Sequence, residues 1–518
     1  MRKVYLFVTL LVLLCTLSVP RLTSAAESTN AKDPVLLLYD SKALRTPLAG
    51  NVEALQRLLA GFSTPVTMLS LEQYKEGKLH SFNKVILVRN KSDELNLPDA
   101  FLQDLKAYSG KYMQIGSGLP NTIQQALHLQ EQHTVDDTIN LKISDLNQTS
   151  IAVSNMAWVT SFEGKSYGTV KSSKHPAEAP YSITSGNYGY IPYLSKGNLS
   201  ELAASYVLKD WLEVSTAPQH YVLISDIFPF SNLELVNAMA DRLYEAGIPF
   251  VASIQPVFSN WDYPAMQRYM ETLKHLQARN GSIIVQTPIV DSTDSPDVNK
   301  LRNELGSFLD HLARLGIVPL GVSAEMYWTY DKHYAIDGLS FFDSGLILPN
   351  QAVQFRDPSD TAVAFYSTAY TIDANELLRY MDEGNSLNPL PMNTAIAYSF
   401  PNDASKLETL LTTLTSSWTT FDDYKNGGHS VQTSASKFSS QNGHLLMNGQ
   451  EVHLNNQIQD VDAAHVYVQQ EEKSLSGLFS VQNKILIVLI GTTLFLFGLF
   501  LIIGHRMYKR KYMQSWRQ

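Results

Sequence analysis

The stretch Tyr221–Phe230 is a short apolar run that breaks at the polar pair Ser225-Asp226. An apolar strand with an Asp at its carboxyl end is how an α/β barrel brings chemistry to its mouth. A carboxylate there could hold a divalent metal or take a proton. Glu325 is a second candidate. It follows a strand expected over Gly316–Gly321, and from a strand end it could act as a general base. A solvated loop carboxylate is the preferred reading of it. Asp331, His333 and Asp337 follow in the same loop, whereas His220 precedes its strand and reads as a surface residue.

Other catalytic patterns are missing. There is no Gly-x-Ser-x-Gly elbow and no His-Glu-x-x-His pair. The single cysteine, Cys15, lies in the apolar N-terminal segment, so a processed chain would carry no thiol. Paired carboxylates for glycoside cleavage cannot be located by spacing alone.

These residues need elements to position them. After the Tyr221 strand, Ser231-x-x-Glu234 reads as a capping box for a helix ended by Gly247. Strands are expected over Ile248–Ile254, Ser282–Gln286, Gly316–Gly321, Ala362–Tyr366 and Ala395–Phe400, with amphipathic helices between several of them. That alternation has the length of a barrel. Asn426-Gly427-Gly428, Asn442-Gly443 and Asn448-Gly449 then suggest hairpins.

Three segments together carry a resemblance: Leu223-Ile-Ser-Asp-Ile227, Gly247–Pro256 and Gln277–Gln286. Over roughly residues 218–420 the chain resembles the polysaccharide deacetylase (NodB-like) superfamily, and within it the DUF2334 branch, which includes domains linked to Pel-type exopolysaccharide systems. The resemblance implies a metal, such as zinc, held by one Asp and two His, with a second Asp as general base. The implied metal Asp is Asp226, and the implied base position holds Ser225. The implied His-x-x-x-His falls on Gln286-Thr-Pro-Ile-Val290. Neither Gln286 nor Val290 supplies an imidazole, and Ser cannot act as a base near neutral pH. The loop with Glu325, Asp331, His333 and Asp337 falls where the family keeps further active-site residues. The resemblance therefore implies a deacetylase-like scaffold without the family's metal chemistry. Its expected partners are a polysaccharide or the proteins that make and export one. An active esterase or hydrolase using Asp226 and Glu325 is the alternative.

Upstream, strands expected at Val35–Asp40, Pro65–Leu71, Val85–Asn90 and Tyr112–Ile115 alternate with helical patterns. No Gly-rich turn follows the first strand, and Gly116-x-Gly118 alone is a weak phosphate-loop signal, so no cofactor is assigned. Ile139–Ile143, Thr149–Val153 and Tyr181–Leu194 read as short strands, and Tyr188, Tyr190 and Tyr193 cluster there and suit strand packing better than a sugar platform.

The ends suggest location. Residues 1–26 read as a signal peptide, with Arg2-Lys3 before an apolar core. Ile485–Ile503 is 19 residues without a charge, followed by Arg506, Lys509, Arg510, Lys511 and Arg517. A single-pass cell-membrane protein with its bulk outside the cytoplasm is the expectation. Three of the 40 basic residues lie in the signal and six from Lys484 onward, leaving 31 against 49 acidic residues, an excess of 18 negative charges. That makes nucleic acid a poor partner and a cationic amino-sugar polymer a suitable one, while acidity that only keeps an exported protein soluble is at least as good a reading. The expected fold class is α/β: a signal peptide (1–26), a doubly wound Rossmann/flavodoxin-like domain (33–215), a deacetylase-like (β/α) barrel (216–455), a stalk (456–483), one transmembrane helix (484–504) and a basic cytoplasmic tail (505–518).

Overall fold

The computed structural model describes residues 33–91, 97–288, 298–350, 365–381, 389–416, 420–454, 458–459, 461 and 476–512. The expected signal peptide, Val290, most of the expected stalk and residues 513–518 lie outside the described residues. The chain forms two compact units, Met1–Val461 and Asp462–Gln518.

The first unit begins with a nine-stranded mixed sheet: β1 (Val35–Tyr39), β2 (Val66–Ser70), β3 (Lys84–Val88), β4 (Lys111–Ile115), β5 (Gln130–Ile143), β6 (Leu146–Ser161), β7 (Lys165–Ser172), β8 (Ala179–Ser185) and β9 (Tyr188–Ile191). Their order is β2-β1-β3-β4-β9-β8-β7-β5-β6. The first five are parallel and the remaining pairings antiparallel. The parallel part is wound on both faces, as its continuous apolar strands require. Val35, Leu37 and Tyr39 pack with the Asn51–Gly61 and Leu199–Leu212 helices, while Leu36 and Leu38 pack with the Asp99–Ala107 helix. The antiparallel half departs from a purely parallel sheet. Its β5–β6 hairpin is far longer than the short strands expected at 139–143 and 149–153, because its first half alternates mostly polar residues and gives little apolar signal.

A closed parallel barrel of seven strands follows: β10 (His220–Ile227), β11 (Phe250–Ile254), β12 (Gly281–Gln286), β13 (Pro319–Glu325), β14 (Ser344–Leu348), β15 (Ser367–Asp373) and β16 (Thr394–Ser399). β16 pairs with β10, His220 opposite Thr394, and closes the ring. Every residue of β11 is buried, and its side chains join the core lined by Tyr269, Leu273, Ile283 and Phe308.

Several expectations change. The fourth barrel strand runs Pro319–Glu325 rather than Gly316–Gly321. Gly316, at φ +74°, instead turns the chain out of the Val298–Arg314 helix. Gly321 lies inside the strand, where a Cβ would come 2.9 Å from the Ser344 carbonyl. β14 was not expected. Its Gly345 weakens the strand signal, yet a side chain there would press on the Phe365 ring at 3.1 Å. The strand expected at 362–366 lies later, at Ser367–Asp373. Residues 362–364 fall outside the described residues, and Phe365 and Tyr366 precede the strand. The helix after β10 starts at Leu233 and is capped by Asn232, which accepts from the Leu235 N–H at 3.3 Å. Ser231 instead accepts from the Phe228 N–H at 3.0 Å, so it closes the preceding turn rather than a capping box.

A four-stranded sheet of β17 (His429–Gln432), β18 (Lys437–Gln441), β19 (His444–Met447) and β20 (Gln450–Glu451) completes the unit. Asn442-Gly443 and Asn448-Gly449 turn its hairpins, all four residues at positive φ. Asn426-Gly427-Gly428 precedes β17 and makes no hairpin. The sheet packs at the amino ends of the barrel strands. His429 stacks on Tyr424 (centroids 3.9 Å apart), and its Nδ1 lies 2.8 Å from Ser344 Oγ at the start of β14.

The α/β layer and the barrel share one core. Tyr370, Ile372, Met392 and Ile396 of the barrel region pack with Leu55, Leu58 and Leu59 of the Asn51–Gly61 helix. At Gly61 an added Cβ would sit 3.1 Å from the Tyr370 Cβ. The second unit contains the Ser476–Tyr512 helix, whose segment Leu486–Lys509, of mean hydropathy 2.8, is long and apolar enough to cross a membrane.

Candidate functional site at the barrel mouth

The strand register places Ser225-Asp226 at the carboxyl end of β10. Pairing with β11 slips between Ile224 and Ile227, so the two residues form a bulge. Asp226 takes φ +64°, a left-handed conformation that costs most residues about 1–2 kcal/mol and that Asp and Asn tolerate best. The bulge is held from several sides. The Phe400 N–H donates to the Ser225 carbonyl at 2.9 Å, and the buried Tyr269 hydroxyl donates to the Ile227 carbonyl at 3.1 Å. Ser225 Oγ donates to Asp226 Oδ2 at 3.1 Å. The residue in the implied base position thus serves as a hydrogen-bond donor to the implied metal ligand.

Gln286 ends β12 and Glu325 ends β13. Glu325 stands opposite Leu348 of β14 and lies three strands around the ring from Asp226. Between the walls below them, Ser253 and Ser323 bond through their hydroxyls at 2.7 Å, fully inside the barrel. The Gln286 Oε1 is buried and has no hydrogen-bond partner among the described residues.

The remaining candidates scatter. Asp331 caps the Lys332–Asp337 helix, accepting from the His333 N–H (2.9 Å) and the Tyr334 N–H (3.1 Å). A carboxylate committed to a helix start is a structural group. The His333 side chain is exposed. Asp337 faces Arg302 at 4.0 Å. His220 is buried rather than on the surface. Its backbone N–H donates to Asp422 (2.8 Å), its Nε2 lies 3.2 Å from the Leu390 carbonyl, and burial pushes its imidazole below the usual range.

The donor set can be tested against the implied metal. A catalytic zinc site takes three protein ligands, usually imidazoles with a carboxylate, and an open position. Asp226 has the Ser225 hydroxyl beside it, and no imidazole stands at Gln286 or Val290. Among the described residues no three His, Cys, Asp or Glu come together to hold a metal. These residues do not fit the metal that the resemblance implies.

Aromatic rings follow two of the barrel strands, β10 and β13. Phe228 and Phe230 follow Asp226 and stack with centroids 5.1 Å apart and planes within 4°, and Phe230 is 85% exposed. After β13, Tyr327, Trp328 and Tyr334 cluster, Trp328 and Tyr334 at 4.6 Å, and burial pushes the Tyr327 hydroxyl up to about 12. Trp328 itself is buried in the barrel core, so of these rings it is the exposed Phe230 that could meet the apolar face of a sugar. In the first sheet, by contrast, Tyr190 and Tyr193 are buried in packing.

One constellation had no signal in the sequence. Glu53 of the α/β layer accepts from Asn350 Nδ2 (3.0 Å) and Tyr330 (3.3 Å), residues that follow β14 and β13. Burial raises its carboxyl above the usual range. Its partners lie 297 and 277 residues away along the chain. In comparisons with known proteins, no family model matches the chain and no curated protein matches it.

Proposed function

We propose that this protein is a membrane-anchored, extracytoplasmic glycan-binding protein built on a deacetylase-like barrel, and that it guides or scaffolds a cell-surface polysaccharide rather than deacetylating it. The single observation that carries the reading is the mouth of β10. Asp226 sits on a left-handed bulge, accepts from Ser225, and has no imidazole at the register positions that would complete a metal site. The stacked Phe228–Phe230 pair beside it supports a surface for sugar rings. The acidic excess of the region between signal and anchor favours a partly deacetylated, cationic amino-sugar polymer. The basic residues after the charge-free stretch 485–503 support a cytoplasmic C-terminus.

The test is a pair of measurements on the full chain in detergent micelles. Retention on a partly deacetylated amino-sugar polymer should be specific and should fall with Phe230→Ser. No acetate should be released from acetylated oligomers with added zinc. Acetate release that is lost in Asp226→Ala and Glu325→Gln would replace this reading with the active hydrolase. Failure to bind the polymer would remove the glycan.

A further inference from the structure

The α/β layer reaches the barrel loops through the carboxylate of Glu53. This residue stands in the first turn of the Asn51–Gly61 helix, where the helix dipole favours a negative charge. Its two oxygens serve two different barrel loops. Oε1 accepts from the Tyr330 hydroxyl at 3.3 Å, and Oε2 accepts from Asn350 Nδ2 at 3.0 Å. Asn350 Nδ2 also donates to the Tyr330 hydroxyl at 3.3 Å, which closes a triangle of three side chains. Tyr330 lies in the loop after β13, and Asn350 follows β14. Both are 3% exposed, and Glu53 is half-buried.

The contacts continue beyond Asn350. Its Oδ1 accepts from the Tyr327 N–H at 2.9 Å, and its backbone carbonyl accepts from Lys196 Nζ at 3.0 Å. A backbone N–H can only donate, so the first bond fixes the amide, with Oδ1 toward Tyr327 and Nδ2 toward Glu53. Tyr327 comes two residues after Glu325, the last residue of β13. Glu53 thus pins the post-β13 loop, through Asn350, at the loop's first turn. The rest of the loop is carried with it: the Met326–Thr329 turn, the Lys332–Asp337 helix capped by Asp331, and the Trp328–Tyr334 ring pair.

The residue types are matched to this task. A carboxylate accepts at both oxygens, so Glu53 can take the hydroxyl and the amide together. An amide in its place would present a single acceptor to two donors. The loop it holds forms the wall of the barrel mouth opposite Asp226, since β13 lies three strands around the ring from β10. A polymer laid across the mouth from Phe230 would reach that wall.

We propose that Glu53 is a positioning residue for the barrel mouth, through which the α/β layer holds the post-β13 loop in the place where the mouth's ligand meets it. The ligand's part in this rests on the glycan-binding reading above. The hold on the loop does not.

The experiment is hydrogen exchange read by mass spectrometry on the full chain in detergent micelles, with retention on a partly deacetylated amino-sugar polymer as the second readout. Glu53→Gln removes an acceptor, and Asn350→Asp sets a second carboxylate against the first. Each should speed exchange over residues 326–338 by at least about tenfold, the factor for losing a hydrogen bond to a charged group, while exchange in β11 stays unchanged. Combining the two changes restores one carboxylate and one amide in swapped places, so loop exchange and polymer retention should return toward the parent values. Unchanged loop exchange in both single variants would overturn the proposal. So would a double variant no closer to the parent than Glu53→Gln, or β11 exchange that speeds as much as the loop, which would mean a loss of overall stability instead. Retention should fall in Glu53→Gln, and retention equal to that of a binding parent would overturn the link to the ligand. A parent that does not retain the polymer would remove the glycan reading, and loop exchange would then decide the hold alone. Should Asn350→Asp fail to fold, Glu53→Gln and the double variant still decide.

Discussion

Arg57 and Glu201 meet 3.1 Å apart at the seam between the α/β layer and the barrel, each side chain 5% exposed. Arg57 also donates to the Thr371 carbonyl (2.6 Å) and lies over the Tyr370 ring, and the Tyr370 hydroxyl donates to Glu201 at 2.7 Å. Gly197 N–H completes the carboxylate at 3.0 Å. Removing one partner strands a buried charge. Glu201→Ala should therefore cost about 3–5 kcal/mol by chemical denaturation. Arg57→Met with Glu201→Leu should cost clearly less than the two single changes summed, because no charge is then left alone.

The hydroxyl pair inside the barrel makes a similar prediction on a smaller scale. Ser323→Ala leaves the Ser253 hydroxyl buried and unpaired, at a cost of about 1–3 kcal/mol. Adding Ser253→Ala should recover part of that loss, measured in the same denaturation experiment. Additive losses would mean that the two hydroxyls do not act as a pair.

His429 gives the chain a pH dependence of known sign. Burial pushes its imidazole down to about 4, from about 6.5 in an unfolded chain. The Tyr424 carbonyl can only accept, so Nε2 carries the proton, and Nδ1 faces Ser344 Oγ at 2.8 Å. Below the unfolded value the unfolded chain binds the extra proton. Stability from this group is therefore full above about pH 6.5 and falls as pH drops toward about 4, by roughly 3 kcal/mol at most. His220 acts in the same direction. Asp343, whose carboxyl is raised by burial, opposes it. His429→Phe should lower stability at pH 8 and flatten the slope between pH 6.5 and 4. An unchanged slope would show that His429 is not the group that titrates.

Asp226 is predicted to matter to the backbone more than to a charge. Asp226→Asn should stay within about 0.5 kcal/mol of the parent, while Asp226→Ala should lose about 1 kcal/mol at the left-handed position. Thermal unfolding of both variants at neutral pH checks the order. A large loss in Asp226→Asn would point instead to a need for the carboxylate itself.

The legible parts of the fold were those written locally. The buried barrel strands show as unbroken apolar runs, and β10 and β11 lie close to where those runs predict them. β14 carries a glycine in a five-residue strand, and only its packing against Phe365 explains it. The first half of the β5–β6 hairpin offers too few apolar residues to show its pairing. His220 is polar by type, and its burial comes from Asp422 and Leu390, 202 and 170 residues away along the chain. At the mouth, the placement of Asp226 and Glu325 at strand ends follows from their strands. The bulge that turns Asp226 does not, because it arises from the register between β10 and β11.

The shared core at the Asn51–Gly61 helix has a consequence for inheritance. A helix whose leucines are completed by Tyr370 and Met392, and whose Gly61 leaves no room for a methyl group, is matched to one particular barrel. Exchanging the α/β layer for a relative's by recombination would leave half an interface on each side. The two folds are therefore expected to travel and diverge as a single piece, with compensating changes appearing together on both sides of the seam.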